Sequence, residues 1–188
     1  MKPLTPASPH VIILVGIPGA GKTAFAEHFA KTFHAPFINT AAIAHEASIS
    51  MRSAVTVSEI LFNELLKTKQ TIIYEGPTAK RIQRIALMKH ILKAGYTPLL
   101  VWVQTESIEA RKRATRKQAD APHTYDTFDA ALYAFNAPTA AEKPIVMSGK
   151  HTYVTQVKIV LKHLAQSRPD LPPEEQPRVR SGRNIIVR

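Results

Sequence analysis

Cysteine is absent from the 188 residues, which removes disulfides, thiolate metal centres and cysteine nucleophiles from consideration. Acids are scarce: 14 Asp and Glu stand against 25 Lys and Arg, a formal charge of +11 and a pI near 10.0. Long apolar runs are also lacking. The run at 11–15 is too short for the core of a signal sequence or for a bilayer crossing, which takes about 20 residues, so the expectation is a soluble, cytoplasmic protein with no membrane partner. Hydrophobic residues at 45% and charged residues at 21% match an ordinary globular chain rather than a disordered one. The length suits one domain with a two- or three-layer core. Glycine is sparing at seven, yet three of the seven fall within 16–21.

What is present alternates. Short, nearly continuous apolar runs at 11–15, 36–39, 71–75, 98–103 and 144–147 read as strands buried on both faces. Between them lie segments of helical period at about 22–33, 42–51, 56–67, 79–94, 106–118, 126–135 and 152–166. This order predicts an α/β fold with a parallel sheet. Domain 1–166 would hold all of it. From Arg168 the composition turns to Pro and charge, so 167–188 reads as a Pro-rich, extended linker with a basic tail. The basic surplus is uneven: 80–117 holds ten Lys and Arg against Glu106 and Glu109, a field suited to nucleotides or nucleic acid, or else a solvated helix face.

The sharpest chemical signal follows the first strand. Gly16, Ile17, Pro18, Gly19, Ala20, Gly21, Lys22 and Thr23 satisfy G-x-x-x-x-G-K-[ST] with a helical pattern directly after. Such a loop cradles phosphates with converging backbone N–H groups, and the helix start adds partial positive charge. Lys22 then bridges the outer phosphates, and the Thr23 hydroxyl ligates magnesium. The expected cofactors are ATP and Mg2+. The third strand ends in Glu75, where a carboxylate holds magnesium through water, or else caps the next helix. After the fourth strand comes a basic helix with Arg111, Arg113 and Arg116; Arg113 and Arg116 share a face and are the candidates for stabilising transferred charge.

In this order the residues resemble the small P-loop kinases of the polynucleotide-kinase and zeta-toxin-like group, an AAA-type ATP-binding domain in the broad sense. The resemblance runs over residues 11–165. It implies a P-loop three-layer sandwich with a five-stranded parallel sheet of order 2-3-1-4-5, a mobile lid near 111–125, and an adenine pocket at Ser148, Gly149 and Lys150. Phe135-Asn136-Ala137-Pro138 with Glu142, and a closing helix at 156–164, are weaker matches.

One departure stands out. Hydroxyl kinases of that group usually carry an Asp just after the second strand, whereas 37–44 here holds Asn39 and Thr40 and no acid, and the first acid after the strand is Glu46. An alcohol acceptor needs a proton acceptor; a phosphate acceptor is already an anion. The expectation is therefore a phosphorylated acceptor. Glu75-Gly76-Pro77 is faintly similar to the Asp-Gly-Phe-Pro of adenylate kinases, which would give Arg81 and Arg84 the acceptor phosphate. Three classes stay open: a kinase acting on a nucleotide, nucleic-acid end or small metabolite; an NTPase or nucleotide-gated binder without transfer; and a nucleic-acid module using the 80–117 surface.

Overall fold

The computed structural model describes residues 9–118 and 128–166. The central strand β1 (His10–Val15) is buried along its whole length, because its β-branched and leucine side chains meet a helical layer on each face. Residues alternate between the two. Ile12 and Leu14 pack with Phe25, Ala26 and Phe29 of α1 (Lys22–Phe33) and with Val160 and Leu164 of a C-terminal helix. Val11, Ile13 and Val15 face the opposite layer, which includes Phe62, Leu66 and Ile91.

The remaining elements follow in chain order. They are β2 (Phe37–Asn39), α2 (Thr40–Glu46), α3 (Met51–Lys67), β3 (Ile72–Glu75), α4 (Arg81–Lys93), β4 (Thr97–Gln104), α5 (Ser107–Gln118), α6 (Phe128–Ala134), β5 (Ile145–Ser148) and α7 (Tyr153–Gln166). All pairings are parallel and the sheet order is β2-β3-β1-β4-β5, as the family resemblance implies. With β1 central, the chain moves to one side through α1 and returns to the other through α4. The crevice of such a sheet opens at the carboxyl ends of the strands around β1, where the glycine-rich loop emerges.

Two helices differ from the sequence reading. Helical segments expected at 42–51 and 56–67 lie at Thr40–Glu46 and Met51–Lys67. Short polar side chains set these starts: Asn39 accepts from the Ala42 N–H at 3.0 Å, and Ser50 accepts from the Ser53 N–H at 3.1 Å. Both are N-caps, which favour such residues because their oxygens satisfy orphan N–H groups. Between the helices Ser48 takes a left-handed φ of 51° and stops α2. The expected lid near 111–125 is described only as far as Gln118, and the tail at 167–188 lies outside the described residues. No helix among the described residues is long and apolar enough to cross a membrane.

Candidate functional site: a phosphate loop at the switch of the sheet

The loop from Gly16 to Gly21 joins β1 to α1 and is held by packing that only bare backbone permits. Gly19 has φ of +74°, and a Cβ there would lie 2.0 Å from the Ala110 carbonyl of α5. Gly149, just past β5, is equally tight: a Cβ would meet the Ala20 carbonyl at 1.9 Å and the Thr105 hydroxyl at 2.4 Å. Thr105 donates to the Ala20 carbonyl at 3.0 Å, and the Gly149 N–H donates to the Gln104 carbonyl at 2.7 Å. The phosphate loop, the β4–α5 junction and the β5–α7 loop are therefore stitched into one rim.

At the centre of that rim α1 begins with Gly21 as a left-handed N-cap, no side-chain capping bond, and no acid in the first turn. Uncapped N–H groups and the positive end of the helix dipole make this an anion-receiving end. The Lys22 ammonium folds back on the loop, donating to the carbonyls of Gly16 at 2.9 Å and Ile17 at 3.0 Å. Thr23 donates its hydroxyl to Glu75 Oε1 at 3.1 Å, and Lys22 Nζ stands 3.9 Å from the same oxygen. Thus the three residues assigned from sequence to phosphate and magnesium converge. A hydroxyl and a carboxylate oxygen in contact are hard oxygen donors, the set magnesium prefers, so the residues present fit that ion.

Glu75 has a second neighbour that sequence reasoning missed. Asn39 pairs with Glu75 across the adjacent ends of β2 and β3, and its Nδ2 donates to Glu75 Oε2 at 3.4 Å. The signal lay in the strand ends: two runs stopping at the same level bring their last side chains together.

The arginines divide. Arg113 reaches the rim, donating from Nη1 to the Gly149 carbonyl at 3.0 Å and from Nε to Glu109 at 3.0 Å. Its Nη1 also lies 4.0 Å from the position a Cβ on Gly21 would take. Arg116, one turn on, is exposed. Arg111 points elsewhere, pairing with Asp129 and lying over the Phe128 ring at 5.0 Å.

Gly149 thus serves the rim through its lack of a side chain. Lys150 turns outward, donating to Glu106 at 2.7 Å, and this hydrogen bond, followed by the charge of Lys150, holds the Glu106 carboxyl below its ordinary range. Ser148 and Lys150 line an open cleft of about 710 Å³ together with Ile17, Trp102, Leu132 and Phe135.

Arg84 requires a correction. Rather than facing an acceptor phosphate, it is fully buried. Its Nε and Nη2 donate to the two oxygens of Glu142 at 2.8 and 3.0 Å, and its Nη1 donates to the carbonyls of Thr78, Ala79 and Asn136 at 3.0, 3.1 and 2.9 Å. Every face of the guanidinium is committed inside the protein, because a desolvated charge is tolerated only when fully partnered. Arg81 remains half-exposed at the start of α4, 3.9 Å from the same carboxylate. Glu46 ends α2 in solvent, and its partner is the adjacent His45 at 3.3 Å.

A central β1, a glycine-rich loop and a Lys-Thr helix start beside a strand-end carboxylate define the fold of a P-loop nucleotide-binding domain. The chain belongs to the AAA domain family, whose model matches residues 11–138. Its fold is that of small P-loop kinases. A gluconokinase from Sinorhizobium meliloti 1021 is similar at 17% identity and a TM-score of 0.60, covering 84% of this chain and 93% of that one. The Mycobacterium tuberculosis APS kinase CysC, in complex with AMPPNP and APS, is similar at 15% identity and a TM-score of 0.66, with 85% and 99% covered. Kti12 of Chaetomium thermophilum, in complex with ADP-AlF3, is similar at 12% identity and a TM-score of 0.65, with 82% and 97% covered. No curated protein matches the sequence.

Proposed function

We propose that the chain is an ATP-dependent phosphotransferase that moves the γ-phosphate of Mg-ATP to a nucleotide, a nucleic-acid end or a small metabolite. The observation that carries this reading is the contact of Thr23 with Glu75 at 3.1 Å, beside the uncapped start of α1. In this reading the loop from Gly16 to Thr23 holds the phosphates through its N–H groups, and Lys22 leaves the Gly16 and Ile17 carbonyls for the outer phosphate oxygens. Thr23 and Glu75 would hold magnesium, which would supply positive charge against the negative charge that develops in transfer. Arg113 and Arg116 stabilise that charge from α5. Gly149 and Lys150 border the purine, with the cleft beside them as its space.

A second reading is an NTPase or nucleotide-gated binder without transfer, and its binder form is favoured by Asn39 standing where hydroxyl kinases carry an acid. The basic surface is smaller than the sequence suggests, since Arg84 is buried and Arg111 and Arg113 are ion-paired. Lys80, Arg81, Lys89, Lys93, Lys112 and Arg116 remain exposed for a nucleic-acid partner. Incubation with Mg-ATP and a panel of nucleoside monophosphates, oligonucleotides and phosphorylated metabolites, followed by mass spectrometry, tests the first reading. Transfer to any of them supports it; ADP formation with no labelled acceptor favours the second. Salt-dependent oligonucleotide binding would add the nucleic-acid role.

A further inference from the structure

We propose that Asn39 is the specificity-determining residue of the acceptor side, selecting acceptors whose attacking oxygen is already anionic. The inference rests on the phosphotransferase reading and narrows its substrate class to phosphate-bearing acceptors. It starts from an orientation that the surroundings fix. Asn39 Oδ1 accepts the Ala42 N–H at 3.0 Å and so caps α2, which leaves Nδ2 directed at Glu75 Oε2 at 3.4 Å. Reversing the amide would set its NH2 against a backbone N–H and its oxygen against a carboxylate, two repulsive contacts in place of two bonds. The residue beside Glu75 therefore presents a locked donor, and a neutral amide cannot take up a proton.

Glu75 is itself engaged on both oxygens. Oε1 receives the Thr23 hydroxyl at 3.1 Å with the Lys22 ammonium 3.9 Å away, while Oε2 receives Asn39. Glu46, the next acid along the chain, is 81% exposed and paired with His45. When an alcohol attacks, a bond forms between its oxygen and the γ-phosphorus, the bond from that phosphorus to the bridging oxygen breaks, ADP leaves with the electron pair, and the hydroxyl proton must pass to a base. Asn39 has no basic atom, Glu46 stands in solvent, and Glu75, in the phosphotransferase reading, is committed to magnesium. When a phosphate oxygen attacks, the same bonds form and break, and no proton has to move. At the paired ends of β2 and β3 Asn39 is neutral beside Glu75, where an Asp would set a second carboxylate against it and against the incoming phosphate.

The test is single-turnover hydrolysis of Mg-ATP, with water as the hydroxyl acceptor, in the wild type and in Asn39→Asp. Asp caps a helix as well as Asn does, so α2 keeps its start; equal melting temperatures check this. The inference expects Asn39→Asp to hydrolyse ATP at least fivefold faster, a threshold set well below the ~100- to 10,000-fold that a well-placed general base supplies. A rate less than fivefold above the wild type, with Mg-ATP affinity retained, overturns the assignment of Asn39 and leaves the nucleotide site standing. Loss of Mg-ATP binding in the variant alone overturns it too, because Asn39 would then belong to the nucleotide site. A wild type that fails to bind Mg-ATP sinks the phosphotransferase reading, and this inference falls with it.

Discussion

Replacing Arg84 by Met keeps much of the side-chain volume and removes the guanidinium from a site with no solvent. Glu142, with its side chain 3% exposed, would lose two hydrogen bonds of 2.8 and 3.0 Å and keep the Thr139 N–H at 3.1 Å and the half-exposed Arg81 at 3.9 Å. The carbonyls of Thr78, Ala79 and Asn136 would lose a donor at the same time. Breaking a buried pair by removing one partner costs about 3–5 kcal/mol. For a domain of this size each kcal/mol moves Tm by roughly 2–4 °C, so a fall of about 6–20 °C is expected by calorimetry. Arg84→Met with Glu142→Leu should recover part of that loss, since no buried charge is left alone.

Acid adds a second readout of the same pair. The hydrogen bond from Arg84 is the largest influence on Glu142; together with the Thr139 N–H and the charges of Arg84 and Arg81, it holds the carboxyl below its ordinary value of 4.5 against the opposing effect of burial. A carboxyl that is more acidic when folded stabilises the protein above its unfolded pKa and ceases to do so as pH falls through the folded one. The wild type should therefore lose, below about pH 4.5, a contribution that the double variant lacks. A single Arg84→Met variant within 1 kcal/mol of the wild type would refute the account of this pair as the clamp between the α4 start and the segment before β5.

Glu75→Gln should slow ATP turnover far more than Glu46→Gln, because Glu75 touches Thr23 whereas Glu46 lies in solvent; paired steady-state rates at saturating Mg-ATP decide this, and equal effects would contradict the placement. Gly149→Ala should weaken nucleotide affinity at least tenfold by pushing the Ala20 carbonyl and Thr105 away from a Cβ with no room, which equilibrium titration with a fluorescent ATP analogue would read.

Much of this was legible in the sequence for identifiable reasons. β1 declared itself through a fully apolar run that is buried on both faces, and the loop after it through glycines with a Lys and a Thr at fixed spacing. Those signals are local. What stayed hidden is set by distant partners: Arg84 and Glu142 are 58 positions apart, and each alone reads as a surface charge. Asn39 was visible only as a missing acid; its contact with Glu75 depends on the register of β2 against β3. Arg113 and Arg116 shared a face on paper, yet only Arg113 meets the Gly149 carbonyl, since the tilt of α5 against the rim is a matter of packing.

The most direct test of the nucleotide site is calorimetric titration of the wild type and Lys22→Ala with Mg-ATP. The Lys22 ammonium is held by two loop carbonyls and stands beside Glu75, so its removal should leave the melting temperature nearly unchanged while most of the affinity, tenfold or more, is lost. Equal affinity in the two proteins, or a wild type that takes up no Mg-ATP, would contradict the assignment of this loop as the phosphate site.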